Sequence, residues 1–461
     1  MIGEETLRNL PEKWLKVDLE DCVHILDNQR SPINSEEREK RIAGKEKSDL
    51  FPYYGATGQV GWIDNYLFDD ERVLVGEDGA PFLEPAKNKA YIVRGKVWVN
   101  NHAHVLKAKQ ECLTNSFLLH YLNIFDYRGY VTGTTRYKLT QAQLKKIPIP
   151  LPPLDEQQRI VARIEELFTQ LDAGVAGLEK VRAQVKRYRQ AVLADALCGN
   201  LTKEWRAENH LGVELSHTLK DQILRERRQS WELAVTSSSR SILKAKYDEP
   251  ITSDGDRPPE IPLEWDYLTL CEATTKIADV DHKMPKPSEN GIPYISTKDF
   301  IDPDGINFDR AKRISREDYE QLCRKVKPEK GDILLSRYGT VGEVRKVGYE
   351  DEFQASYSIA IIKTLKKYPL DDYLVMALRS DFVQKQIRRD IRATAQPDLG
   401  LEYIRKFVIP LPSEMEQIRI LEEVDRRMSI TDAIEKSIEQ SLRQSARLRQ
   451  SILQRAFCGK L

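Results

Sequence analysis

The stretch Tyr130-Val131-Thr132-Gly133-Thr134-Thr135-Arg136-Tyr137-Lys138 gathers three threonine hydroxyls, two tyrosine rings, a guanidinium and an ammonium around one glycine. Thr134, Thr135, Arg136, Tyr137 and Lys138 in such a loop suit phosphate contacts together with a bidentate approach to guanine. Far downstream, Ala393-Thr394-Ala395-Gln396-Pro397 offers Thr394 and Gln396, and a glutamine pairs with adenine in the major groove. Arg337, Tyr338 and Thr340 in SRYGT, and Ser296, Thr297 and Lys298 in YISTKD, join the candidates by the same logic. Solvated loops that brace the elements next to them account for these residues equally well, and both readings stay open at this point.

Catalysis finds less support. Glu77-Asp78 and Glu84-Pro85-Ala86-Lys87 lack the partner carboxylate and the E-x-K spacing of a metal nuclease, and read as turns. His102 and His104 share one face of an expected strand, but two ligands are too few for zinc, so hydrogen-bonding roles are expected and no metal. Gly55, Gly58 and Gly61 have neither the strand–helix setting of a dinucleotide loop nor the Lys-Ser/Thr of a phosphate loop. Pro152-Pro153 and Pro258-Pro259 have the wrong neighbours for the (N/D)PP(Y/F) motif that holds a flipped base for methylation. The six cysteines lie far apart, with no metal spacing, and read as reduced cytosolic thiols. With 72 basic and 72 acidic residues, bulk charge advertises no polyanion ligand, although Lys186–Arg189 and Arg443–Arg449 are locally basic. No export signal or apolar run long enough to span a membrane is found, so the expected location is cytoplasmic.

The elements that must position the two loops come as a repeat. Residues 149–201 open IPLPPLDEQQRI and close RYRQAVLADALCGNL; residues 409–461 open IPLPSEMEQIRI and close RLRQSILQRAFCGKL, at a constant offset of 260 residues from Cys198 to Cys458. Prolines forbid helix before Leu154, Asp155 and Glu156 suit a first turn, and Gly199 suits a C-cap. In between, Val161, Ile164, Phe168, Leu171, Val175, Leu178, Val185 and Val192 recur by threes and fours as a heptad seam. It slips near Arg182 and Arg189, where Val181 and Tyr188 are expected to substitute. The second copy repeats the seam with Leu421, Val424, Met428, Ile434, Ile438, Leu442 and Ile452. Each rod would be roughly 60 Å long, and neither can bury its stripe alone, so each is expected to pack antiparallel on the other.

Before each rod lies a globule of short strands and turns. The expected fold class is therefore α+β: two globular domains with mixed short-strand sheets, separated by a pair of long antiparallel coiled-coil helices. The divisions are 1–148, 149–201 (first rod), 202–260 (helical extension and linker), 261–406 and 407–461 (second rod). Unlike globules at a fixed separation suit two unlike half-sites on DNA, less than about 20 base pairs apart.

With GATGQVGWID and LVGEDGA in the first globule, GDILLSRYGTVGE in the second, and IPLPPLDEQQRIV and RYRQAVL in the rods, the chain resembles the specificity subunit of type I restriction-modification enzymes over nearly its whole length. The resemblance implies two target-recognition domains, each reading half of a bipartite, asymmetric site in double-stranded DNA. It implies rods that dock two methyltransferase (modification) subunits, with motor-nuclease (restriction) subunits joining that core. It also implies no catalysis and no cofactor in this chain, S-adenosylmethionine being expected in the methyltransferase partner. The extension Thr202–Tyr247 has no counterpart in the second repeat, so strict symmetry of docking at the two ends does not follow from the resemblance. The competing expectations are a coiled-coil scaffold without DNA recognition and a single-chain DNA nuclease or methyltransferase.

Overall fold

Hydrophobic runs bounded by turn residues fold here into two units, and both long helices contribute to the main core of each. The computed structural model describes residues 2–3, 6–8, 10–209, 214–237, 247–252, 260–282, 284–301, 305–367, 369–392 and 396–461; Thr394 and much of the expected linker lie outside them. One unit comprises residues 1–182 and 436–461, the other residues 183–435.

The first unit holds a four-stranded sheet in the order Val23–Ile25, Ala103–Ala108, Arg72–Gly76, Ala90–Val93. Arg72–Gly76 is buried along its whole length, as a central strand covered on both faces must be. A second sheet runs Gly58–Ile63, Phe51–Gly55, Lys96–Val99, Phe68–Asp69. The helix Asn115–Ile124, capped by the Thr114 hydroxyl, lays Phe117, Leu118, Tyr121 and Leu122 on the core. The second unit repeats the first sheet's order with Lys276–Ala278, Ile359–Lys363, Ile333–Ser336 and Val344–Lys346. Its other sheet is different: Lys312–Ile314, Ile292–Ile295, Gln354–Ala355.

Both units are wired to their rods alike. The strand formed by IPL pairs antiparallel with a strand that begins just after a buried tryptophan: Val17 faces Ile149 after Trp14, and Leu268 faces Ile409 after Trp265. The glutamine of the shared EQ is fully buried in both. Gln157 donates from Nε2 to the Cys112 and Pro152 carbonyls and accepts from the Thr114 amide, while Gln417 donates to the Pro412 carbonyl. The Glu–Gln pair that marks the repeat in sequence is thus a fold device that ties the rod's first turn to the strand before it.

The rods, Leu154–Leu197 and Glu414–Phe457, are each 44 residues. Gly199 and Gly459 close them in the left-handed region (φ 73° and 67°) with the same hydrogen bonds, Asn200 N to Asp195 O and Lys460 N to Arg455 O. A side chain at Gly199 would press on Pro262, and one at Gly459 on Pro11, so close approach also demands glycine there. Inside each unit the early part of one rod meets the late part of the other. In the first unit Arg449 pairs with Asp172 and lies 4.3 Å from the Phe168 ring centroid; in the second Arg189 pairs with Asp432 and, at 2.9 Å, with Glu435. Arg189 and Arg449, like Asp172 and Asp432, are equivalent in the repeat, so one reciprocal ion pair occurs twice, as antiparallel packing requires.

Val161, Phe168, Leu171, Val175 and Leu178 are half-buried and Ile164, Val185 and Val192 buried; Leu421, Met428 and Leu442 are half-buried and Val424, Ile438 and Ile452 buried. Three expected seam residues are not inside. Val181, Tyr188 and Ile434 are 40%, 45% and 38% exposed, whereas Arg189, Thr431 and Glu435 hold the three-four spacing inward. The periodicity continues through polar residues because the Arg189–Glu435 pair supplies the partners that a hydrophobic side chain would not need.

Candidate nucleic-acid interface

Identical backbone bonds show that the two candidate loops occupy one position in the shared sheet frame. Leu139 N donates to Glu77 O at 2.8 Å, and Leu399 N to Arg337 O at 2.8 Å. Gly79 N donates to Tyr137 O at 2.9 Å, and Gly339 N to Pro397 O at 3.0 Å. Single antiparallel bridges, Asp78 with Lys138 and Tyr338 with Asp398, complete the match. The 260-residue offset of the rods therefore extends upstream to the turns after Arg72–Gly76 and Ile333–Ser336, and it makes Arg136 the counterpart of Gln396.

In the first unit Thr134, Thr135, Arg136 and Lys138 are exposed and Tyr137 is half-buried. Arg136 donates from Nε to Asp78 at 2.7 Å, lies over Gly79 (φ 78°), and is 63% exposed. With Thr57, Asp78, Thr135 and Tyr137 it lines an open depression of about 830 Å³. An arginine held at Nε by a carboxylate presents its terminal nitrogens in a fixed plane, the geometry that bidentate recognition of a base edge or a phosphate needs. In the second unit Gln396 is exposed, Thr340 and Lys298 are exposed, and Tyr338 is half-buried with its ring 5.7 Å from that of Tyr357, itself stacked on His282.

Two expected contacts are corrected. Arg337 is buried: its guanidinium donates to Leu399 O (2.9 Å), Tyr357 O (3.2 Å), Asp279 (3.2 Å) and Asp398 (2.8 Å), which leaves it no fork for a base. Ser296 uses both its amide (2.7 Å) and its hydroxyl (3.0 Å) on Asp299 to cap the turn Thr297–Asp299, and Thr297 is half-buried. Short polar residues that favour turns do so by such local bonds, which a sequence pattern does not separate from ligand contacts.

Beneath the first loop lies a cluster that the sequence did not single out as one site. His104, 1% exposed, sets Nδ1 2.6 Å from Asp27 and Nε2 2.8 Å from the carbonyl of Leu139. Arg30 donates to Glu77 (2.7 Å) and to Ala103 O (2.8 Å), and Lys138 stands 3.6 Å from Glu77. Burial pushes the Asp27 carboxyl up, but the hydrogen bond and charge of His104, the Val105 amide and Arg30 outweigh it and hold the group below the usual carboxylate range. Asp27, Glu77 and His104 bring ligand-type atoms within 4.8 Å of one another, yet Arg30 already pairs with both carboxylates. The grouping is a closed ion-pair cluster, in keeping with a hydrogen-bonding role for His104. The usable signal was Gly79 and Gly339 at the offset of the rods, behind the apolar runs Val73–Val75 and Ile333–Leu335.

The type I restriction modification DNA specificity domain matches this chain twice, over residues 11–180 and 272–444. The chain belongs to that family. Each match covers one sheet frame, its loop and most of a rod. Among relatives, the Escherichia coli type I restriction enzyme EcoBI specificity subunit is 25% identical over 99% of this chain and 88% of its own length. A putative type I specificity subunit of Haemophilus influenzae, S.HindORF215P, is 36% identical over 36% of this chain and 39% of its own. A solved chain from work on complex assembly and conformational transition of the type I R-M system shares the fold at TM-score 0.57 and 18% identity, covering 98% of this chain and 99% of that one. A specificity-family chain with two unlike loops on one frame recognises DNA sequence through two target-recognition domains. Among the described residues, no helix is long and apolar enough to cross a membrane.

Proposed function

We propose that this chain reads a bipartite, asymmetric site in double-stranded DNA, with residues 1–148 and 261–406 as the two target-recognition domains. Arg136, with Thr134, Thr135, Tyr137 and Lys138, addresses one half-site, and Gln396, with Thr394, Tyr338, Thr340 and Lys298, the other. The observation that carries this reading is the occurrence of two different base-reading residue types, arginine and glutamine, at one equivalent position. A guanine contact by Arg136 and an adenine contact by Gln396 would make the half-sites unlike. The rods dock two methyltransferase subunits, and restriction subunits join that assembly. S-adenosylmethionine and the methyl transfer belong to the methyltransferase, and this chain acts without catalysis of its own.

Replacing either reading residue tests the proposal. In the assembled methyltransferase, Arg136→Ala relaxes selectivity at one or two base pairs of one half-site by roughly tenfold to a hundredfold, and Gln396→Ala does the same in the other half. Unchanged half-site selectivity in both variants rules the assignment out. Methyl transfer by the purified chain alone would reassign it as an enzyme.

A further inference from the structure

The two loops are held from below by different buried polar side chains that do the same work. In the first unit His104 links Asp27, just beyond the strand Val23–Ile25, to the carbonyl of Leu139 where the loop re-enters the fold. In the second unit Arg337 links Asp279, just beyond the strand Lys276–Ala278, to the carbonyl of Leu399. Leu139 and Leu399 are equivalent, and the strands Val23–Ile25 and Lys276–Ala278 occupy the same place in the two sheets. The two side chains come from different strands: His104 from Ala103–Ala108, Arg337 from just past the end of Ile333–Ser336. Where the second unit has Arg337 and Asp398, the first has Glu77 and Lys138, an ion pair of opposite polarity at the same two positions.

We infer that His104 and Arg337 are positioning residues for sequence recognition, each a buried polar pivot that fixes the height and tilt of its loop and so the placing of Arg136 or Gln396 on the DNA. The inference rests on the proposed reading by those loops. Its physical basis is direct. Both nitrogens of His104 face oxygens, one of the Asp27 carboxylate and one of the Leu139 carbonyl, so the ring is held at both ends and has no freedom to turn. Arg337 is fixed by four acceptors. A reading side chain gains selectivity only when its donors are set before binding, because an angstrom of slack lets the wrong base pair be accommodated. Neither pivot reaches DNA itself, since both are buried.

The test uses the full chain assembled with its methyltransferase partner. Competition binding compares the cognate duplex with duplexes altered in one half-site at a time, and thermal unfolding is followed alongside. His104→Ala leaves Asp27 paired with Arg30, so the unit keeps its fold. This variant is expected to lose about tenfold of the selectivity in the half-site of the first loop while the other half-site stays within about twofold. Arg337→Ala gives the converse. Arg337→Lys, which keeps the charge and one donor, recovers part of the lost selectivity. Selectivity that survives intact in both variants, or falls equally in both halves, overturns the inference. Arg136→Ala and Gln396→Ala run in parallel. If they also leave both halves unchanged, the loop reading itself fails; if they relax the halves and the pivot variants do not, only the positioning role fails.

Discussion

Glu416 is the most exposed point of failure in the second unit's architecture, and its repeat partner Glu156 provides an internal control. The Glu416 side chain is 1% exposed and accepts from Trp265 Nε1 at 2.8 Å, Thr202 Oγ1 at 2.7 Å, and Arg206. Arg206 in turn lies over the Trp265 ring and is itself largely buried. Glu416→Ala would strand an indole N–H and a hydroxyl, and would leave the buried Arg206 guanidinium only the Gly199 carbonyl at 3.1 Å and Glu264 at 3.9 Å. Removing one partner of a buried pair costs about 3–5 kcal/mol, mostly the penalty of the charge left behind. For a unit of this size that lowers the melting temperature on the order of 10 °C. Glu156, in contrast, is half-buried with Arg159 4.0 Å away, and Trp14 Nε1 has no partner among the described residues. Glu156→Ala should therefore cost no more than about 1 kcal/mol. Denaturant unfolding of the full chain, followed by tryptophan fluorescence and circular dichroism, measures both. Equal losses in the two variants, or a loss below about 1 kcal/mol for Glu416→Ala, would refute the reasoning.

Two further outcomes follow from the packing and the titration of buried groups. Phe457 is fully buried, 4.9 Å from the Phe117 ring and 5.3 Å from that of Tyr121, so Phe457→Ala should destabilise the first unit by about 3–5 kcal/mol in the same unfolding assay. Burial raises the Asp371 carboxyl from 3.8 to about 6, against the Thr364 hydroxyl and the charges of Lys346 and Lys366, which pull it down. The folded chain then keeps a proton that the unfolded chain has released, so stability falls as pH rises from about 4 through 6 and stays lower above it. Asp371→Asn should remove that penalty, gaining on the order of 1–3 kcal/mol at pH 7 and little at pH 4, and a gain independent of pH would contradict the assignment.

The rods were legible in the sequence because a 44-residue amphipathic helix repeats its signal many times, and because proline before and glycine after fix its ends. The polar seam positions were not. Arg189 and Glu435 look solvated one at a time, and only their mutual approach shows that they share the seam, half-buried. The loops were recognisable as a pair because Thr134 and Thr394 fall at the offset of the rods. What fixes those loops was hidden, since His104 and Arg337 differ in residue type and in parent strand, and only the carbonyls of Leu139 and Leu399 reveal their common task. Arg337 was misread for the same reason: an arginine beside a tyrosine and a threonine suits DNA contact equally well whether its guanidinium points outward or is buried among four acceptors. The short helices Ser35–Ile42 and Arg316–Cys323 carry little sequence signal because both are strongly charged; each is capped by a side chain, Asn34 and Ser315 accepting from Glu37 N and Asp318 N, and the second also buries Tyr319 and Leu322.

Two unlike reading loops on one repeated frame, each with its own half-site, is the proposition on which the functional account stands. Methylome sequencing of a host that expresses this chain with its methyltransferase measures it most directly. The account predicts one interrupted, non-palindromic motif whose two parts are separated by an unread gap, and a continuous palindrome would contradict it.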